Sequence, residues 1–284
     1  MNIETGQFLR FQIPARSRVL WLSPAWAVLC GLIASSAFVW TGRDVLIAAL
    51  AVIIADGEWA TQWWGLVDTD WRQLFANWNG IAVTRTEGRL ALRGSPADRS
   101  QHNLARLRAW WQAGGREQAG TPLISALAAL ALGVVLSAVI SWQVLALTFA
   151  AFAVTQIALI LRLHGRPVNW LHGFVAIGLT WMLGHAAFGE LTLLSAFAAV
   201  VFAFVYAALL DLAQGASATR RWLLLQLILV VVLIWLQQPI AALALIALLV
   251  AQALLATAMH SLDFARAAQW WLMLAMLVVA LGIR

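Results

Sequence analysis

Residues 44–72 read DVLIAALAVIIADGEWATQWWGLVDTDWR, and this stretch decides the class of the chain. It opens as an apolar run long enough to cross a bilayer, then places Asp56 and Glu58 inside that run. Trp59, Trp63, Trp64 and Trp71 follow, and it closes on Asp68, Asp70 and Arg72. A carboxylate at bilayer depth costs roughly 2.5–3.5 kcal/mol on the insertion scale, so it faces protein or water rather than lipid. A ligand-holding region is therefore expected beside the lower half of this helix.

The rest of the chain agrees with a membrane setting. Of its 284 residues 63% are hydrophobic and only 11% charged, with a mean hydropathy of +0.85. Apolar runs this long and this numerous do not belong to a soluble core. Cys30 is the one cysteine, so no internal disulfide forms. There is no lysine, and the net charge of +6 comes from arginine. Those arginines follow the ends of apolar runs, which points to the positive-inside rule and away from nucleic acid. The polar start MNIETGQFLRFQIPARSR lacks the short apolar core of a cleavable leader.

Apolar windows bounded by Gly, Pro or charge predict an all-α polytopic bundle of about nine spans, forming a single membrane domain over 1–284. The windows are 19–41, 44–67, 122–141, 143–162, 170–188, 191–211, 222–238, 239–259 and 266–283. Pro239 alone separates the seventh from the eighth. With the N-terminus cytoplasmic, most arginines fall on the cytoplasmic side and only Arg43 and Arg284 outside it. This predicts a multi-pass protein of the cell inner membrane, N-terminus in. Trp21, Trp142, Trp170, Trp222, Trp270 and Trp271 lie at window ends and read as an interfacial aromatic belt. Within the long connection 68–121, residues 100–115 set Leu104, Leu107, Trp110 and Trp111 on one helical face, predicting an amphipathic surface helix that caps the bundle or acts as a lid.

The remaining polar residues keep two readings each. Asp56 and Glu58 either pair with a neighbouring helix or line a pocket for a ligand head group. Two residues apart, they diverge by about 200° on a helix and cannot share one metal. Asp263 reads as a helix cap or a partner for Arg266. His164 and His172 flank the turn near 165 and either meet a phosphate or snorkel. His185, among small residues, is a candidate pigment ligand through an imidazole nitrogen, or a hydrogen bond across helices. The small-residue run around it reads as close helix packing.

Residues 158–189, ALILRLHGRPVNWLHGFVAIGLTWMLGHAAFG, resemble the fourth and fifth spans of the UbiA-type intramembrane prenyltransferases. Arg162, Arg166, Gly173, Gly178, Gly184, Ala186, Ala187 and Gly189 fall in the family's order. Nine spans, a long loop after the second and a closing A-Q-W-W-L-M-L-A-M span extend the likeness in layout. The resemblance implies a greasy chamber for a polyprenyl donor, whose diphosphate is held by magnesium on clustered aspartates after spans 2 and 6. Carried over, Asp68, Asp70 and Asp211 are the catalytic carboxylates, with Asp68 and Asp211 as metal ligands. Arg72, Arg166 and Arg220, with Asp56 and Glu58, meet the diphosphate or substrate head.

The chain departs from that pattern. VDTDWR (67–72) and ADGEW (55–59) each lack the second Asp at spacing three or four, and LLDLAQGA (209–216) offers Gln214 and Gly215 beside Asp211. A hard divalent ion wants several converging carboxylate oxygens, so the motif is thin. Trp59, Trp63 and Trp64 would occupy the volume that hydrated metals need. Two expectations follow. One is a diverged transferase moving a polyprenyl group onto a quinone or tetrapyrrole precursor. The other is a non-catalytic UbiA-fold protein that binds an isoprenoid, quinone, chlorin or lipid, or serves as a subunit of a photosynthetic or respiratory membrane complex.

Overall fold

The computed structural model describes residues 22–74, 96–112 and 116–284, without the side chains of Arg72, Leu74, 96–99 and 116–118. Among the described residues every regular element is helical. α1 is Pro24–Ser35, with the Ser23 hydroxyl accepting from Ala25 N and Pro24 in the first turn. This is standard entry chemistry, because Pro has no donor to waste there. α2 runs over 42–68 after the Thr41 cap. Its hydrogen bonding widens to i→i+5 over Ile53–Trp59 and again over Trp64–Asp68. α3 is Pro96–Trp110, α4 Arg116–Ile140 and α5 Trp142–Leu163. α6 covers 169–186 and is likewise widened over Phe174–Leu179. α7 is Leu193–Ala213, α8 Thr219–Trp235, α9 Pro239–Ala258 and α10 Ser261–Gly282.

Each of the nine predicted windows holds a helical rod. Five of these rods, in α4, α5, α7, α9 and α10, are long and apolar enough to cross a membrane. The chain is a membrane protein. The first window is shorter than predicted: α1 stops at Ser35, where Ser36 turns left-handed at φ 53° and Ser35 Oγ donates to Leu32 O at 2.7 Å. Twelve residues rise about 18 Å, short of the ~30 Å hydrocarbon layer. α8 ends at Trp235, because Gln237 adopts φ 57° and Pro239 starts the next helix. The break at Pro239 is therefore real.

α6 is the central rod, buried along nearly its whole length. It packs between α1 on one side and α7 on the other, while α2, α4 and α5 form one flank of the bundle and α8, α9 and α10 the other. Glycines permit this approach. A Cβ on Gly31 would lie 2.0 Å from Trp181 O, and one on Gly184 would lie 2.0 Å from Val28 O. Only residues without side chains let two backbones come so near, the small-residue packing of membrane helices. The outer faces carry exposed Leu127, Val139, Phe149, Ile160, Val231, Leu243 and Leu254, apolar side chains suited to lipid.

The aromatic belt holds for some residues and not others. Trp142 and Trp170 are exposed near helix starts, whereas Trp270, also exposed, and half-buried Trp271 lie midway along α10, because that helix begins at Ser261, ahead of the window expected for it. Trp222 is fully buried, meeting Phe264 edge to face at 5.4 Å, so it belongs to the core. Trp21 lies outside the described residues. Asp263 does pair with Arg266, at 3.8 Å and exposed.

Inside the second flank, Gln226 Nε2 donates to Gln252 Oε1 at 3.0 Å, tying α8 to α9 at a buried point. Hydrogen bonds between membrane helices average about 0.6 kcal/mol, with a maximum near 1.7. Gln226→Leu and Gln252→Leu are each expected to destabilise by that order, and the double mutant by less than their sum. A double-mutant cycle on thermal or denaturant unfolding in detergent measures it.

Candidate functional site

The widened turn of α2 separates Asp56 from Glu58. Asp56 turns toward α1, where its Oδ1 accepts from Ser23 Oγ at 3.1 Å. The same segment of chain is pinned to α10 by Leu22 N to Gln269 Oε1 at 2.9 Å and Trp26 Nε1 to Met273 O at 3.1 Å. Asp56 is thus an anchor for the start of α1. Glu58 is fully buried on another face. The two carboxylates do not line one head-group pocket.

At the lower end of α2, Asp68 Oδ1 accepts from Arg162 Nη1 at 2.8 Å, joining α2 to the end of α5. Asp70 is exposed and accepts from Gln73 N at 3.2 Å, capping the short turn Trp71–Leu74. Across α6, Asp211 Oδ1 accepts from Asn169 Nδ2 at 2.7 Å, and its Oδ2 is held by Arg221. Asn169 also bonds Gln214. Arg221 takes the position expected of Arg220, which stands exposed, as does Arg166 at the turn after α5. The side chain of Arg72 lies outside the described residues.

Three aromatic rings meet in the interior where α2, α6 and α7 come together. Trp63 stacks on His172 with centroids 4.8 Å apart, and His172 meets Tyr206 edge on at 6.2 Å. Trp63 and Tyr206 each stand five residues before a carboxylate, Asp68 and Asp211 respectively. His172 is buried rather than snorkelling, and its Nε2 has no hydrogen-bond partner. Sequence reasoning missed this plug, although Tyr206 is the chain's single tyrosine.

This donor set does not fit a magnesium–diphosphate centre. Such a centre gathers several carboxylate oxygens on hard cations. Here Asp68 and Asp211 are each held by an arginine, and Asp70 caps the turn after α2. Among the described residues no group of three or more His, Cys, Asp or Glu side chains converges. His185 is buried in α6, and its Nε2 lies 3.0 Å from Glu190 O. A pigment metal on that nitrogen would have to displace the carbonyl, whereas Nδ1 is buried without a hydrogen-bond partner.

A chamber of about 720 Å³ opens under α3, lined by Leu104, Leu107, Trp110, Trp111, Leu123 and Arg108, among others. Trp71 borders it and also borders a recess of about 180 Å³ that includes Val67, Asp70 and Arg162. Leu104 and Leu107 are exposed toward the chamber while Trp110 is buried, so the apolar face predicted for this helix is only partly covered.

These features define an all-α membrane protein with an apolar chamber at its arginine-bearing end. No family model, characterised protein or solved structure matches the chain.

Proposed function

We propose that this is a multi-pass inner-membrane protein that holds an isoprenoid-tailed anionic lipid and does not transfer its prenyl group. In this reading all nine rods insert, the N-terminus is cytoplasmic and the C-terminus lies outside. Reporter fusions at the two termini test that orientation. The observation that carries the binding reading is the chamber under α3. Its volume of about 720 Å³ lies within the roughly 300–1,000 Å³ of small-molecule sites. It pairs an apolar wall with one guanidinium, Arg108, and opens by Trp71 toward Arg162. An arginine fork recognises a phosphate-bearing head by charge-assisted bonds. The aromatic plug and the arginine-held carboxylates favour retention over catalysis.

Three tryptophans border the chamber, so binding is readable by fluorescence. Farnesyl diphosphate is expected to quench emission saturably, farnesol more weakly, and Arg108→Ala to weaken the diphosphate about tenfold, the loss of one charge-assisted contact. Equal affinity for both ligands in wild type and variant would overturn the reading. Incubation with labelled donor and magnesium is expected to leave the donor intact. Consumption abolished by Asp68→Ala and Asp211→Ala would establish the transferase instead.

A further inference from the structure

The most unusual chemistry in the molecule is away from the chamber, on the upper face of α2. Glu58, Thr61 and Gln62 are buried there, and Glu58 is wholly inaccessible. Neither oxygen of Glu58 has a hydrogen-bond partner, nor has Thr61 Oγ1, either polar atom of Gln62, or the neighbouring Trp59 Nε1. Spacings of three and four put Thr61 and Gln62 on the face of Glu58. Glu58 sits in the widened segment Ile53–Trp59, a backbone departure common at functional positions in helices.

Among the described residues, the helices packed against this segment bring no counter-charge to Glu58. This segment packs against α1, α4 and α5. Between 119 and 140, α4 has no titratable residue, and α5 has none between 142 and 161. Arg162, at the end of α5, is bonded to Asp68. α1 contributes only the buried thiol of Cys30. On α2 itself, Asp56 is turned to Ser23. Across from Glu58, α4 and α5 present Gly133, Thr148 and Ser137, the last two bonded to each other at 2.6 Å. An ionised carboxylate would stand alone in a low-dielectric interior, a state proteins avoid by neutralising the group.

A metal does not solve this. A cation such as calcium needs six or more oxygens, and among the described residues no group of three or more His, Cys, Asp or Glu side chains converges. A proton needs no room. We infer that Glu58 is an intramembrane proton-binding site, its acid hydrogen donated within the Thr61–Gln62 cluster through a rotation of the Gln62 amide or one buried water. Intramembrane carboxyls of this kind mark proton-coupled sites. The inference is independent of what the chamber holds.

The test uses the full-length wild-type protein in detergent and the apolar reagent dicyclohexylcarbodiimide. The acid proton passes to a carbodiimide nitrogen as the carboxyl oxygen bonds to the central carbon. The acyl group then migrates from oxygen to nitrogen, giving an adduct that retains every atom of the reagent. Peptide mapping at neutral pH is expected to find that mass on Glu58, with Asp56 unmodified and a water-soluble carbodiimide inactive at Glu58. In Glu58→Gln the adduct is lost, and the infrared difference spectrum of wild type minus variant shows a carboxylic-acid carbonyl band. A carboxylate band in the difference spectrum would overturn the proposal. If Glu58→Gln fails to fold, Glu58→Asp takes its place in the infrared comparison, where a shifted carboxylic-acid band is expected and a carboxylate band overturns the proposal.

Discussion

Gly184→Ala is expected to be among the most damaging single substitutions in the chain. The added methyl carbon would stand 2.0 Å from Val28 O and 2.8 Å from Val28 C. Both are backbone atoms, and no rotamer change relieves the clash. The contact is mirrored by Gly31, whose added Cβ would stand 2.0 Å from Trp181 O and 3.0 Å from His185 N. α1 and α6 must therefore part by more than an ångström along their whole crossing. That separation unpacks fully buried Ala27, Val28 and Trp181 together. Interiors packed at crystal density do not absorb such a shift, and large destabilisations come from overpacking of this sort. The expected loss is about 3–5 kcal/mol, the upper end of single-mutation effects. Gly42→Ala is the control: nothing lies within 4 Å of its added carbon, and it should change stability by roughly 0.5 kcal/mol or less. Thermal unfolding of both variants in the same detergent makes the comparison.

Those glycines also show how far the residues speak for the structure. The small-residue run around His185 reads as close packing, and Gly184 within it meets the backbone of α1; Gly173 and Gly178, which the sequence marks only by their place in the UbiA-like pattern, approach backbone and small side chains of α7. The long rods were legible because a 20-residue apolar run has few alternatives in a membrane. The end of α1 was not, since Ala37, Phe38, Val39 and Trp40 prolong the apolar run past Ser36, whose left-handed turn has no compositional mark. Trp222 was misplaced because position along a helix says where a residue is in depth, not which face it occupies. The same ambiguity separates Arg220 from Arg221: one residue is about 100° of rotation, enough to turn one guanidinium to Asp211 and the other to solvent. The plug of Trp63, His172 and Tyr206 joins three helices distant in sequence, and no local pattern announces such a meeting.

The second large effect concerns Asp68, where the catalytic and structural roles predict different outcomes. Its carboxylate bridges α2 to α5 through Arg162 at 2.8 Å, with the two side chains 19% and 23% exposed. A hydrogen bond between charged groups this sheltered contributes about 1.5–3 kcal/mol. Asp68→Ala is expected to lose that much, because Arg162 is then left half-buried without its carboxylate. Arg162→Ala should lose a similar amount, and the double variant markedly less than the two together. A coupling near zero would mean that the pair contributes nothing to folding. The reciprocal swap, Asp68→Arg with Arg162→Asp, should recover part of the stability, since it restores opposite charges at the same crossing. A carboxylate kept for metal–diphosphate chemistry would behave otherwise. Its removal would spare stability or raise it, because clustered negative charge strains a fold that has no cation to hold. Asp211→Ala gives the graded comparison. Arg221 is more than half exposed there, and exposed ion pairs contribute about 0–1 kcal/mol. The expected order of destabilisation puts Asp68→Ala above Asp211→Ala because Arg162 is more sheltered than Arg221, by a margin narrowed by the bond from Asn169 that Asp211→Ala also loses. Two ligands of one metal centre would instead fail together, in activity rather than in folding.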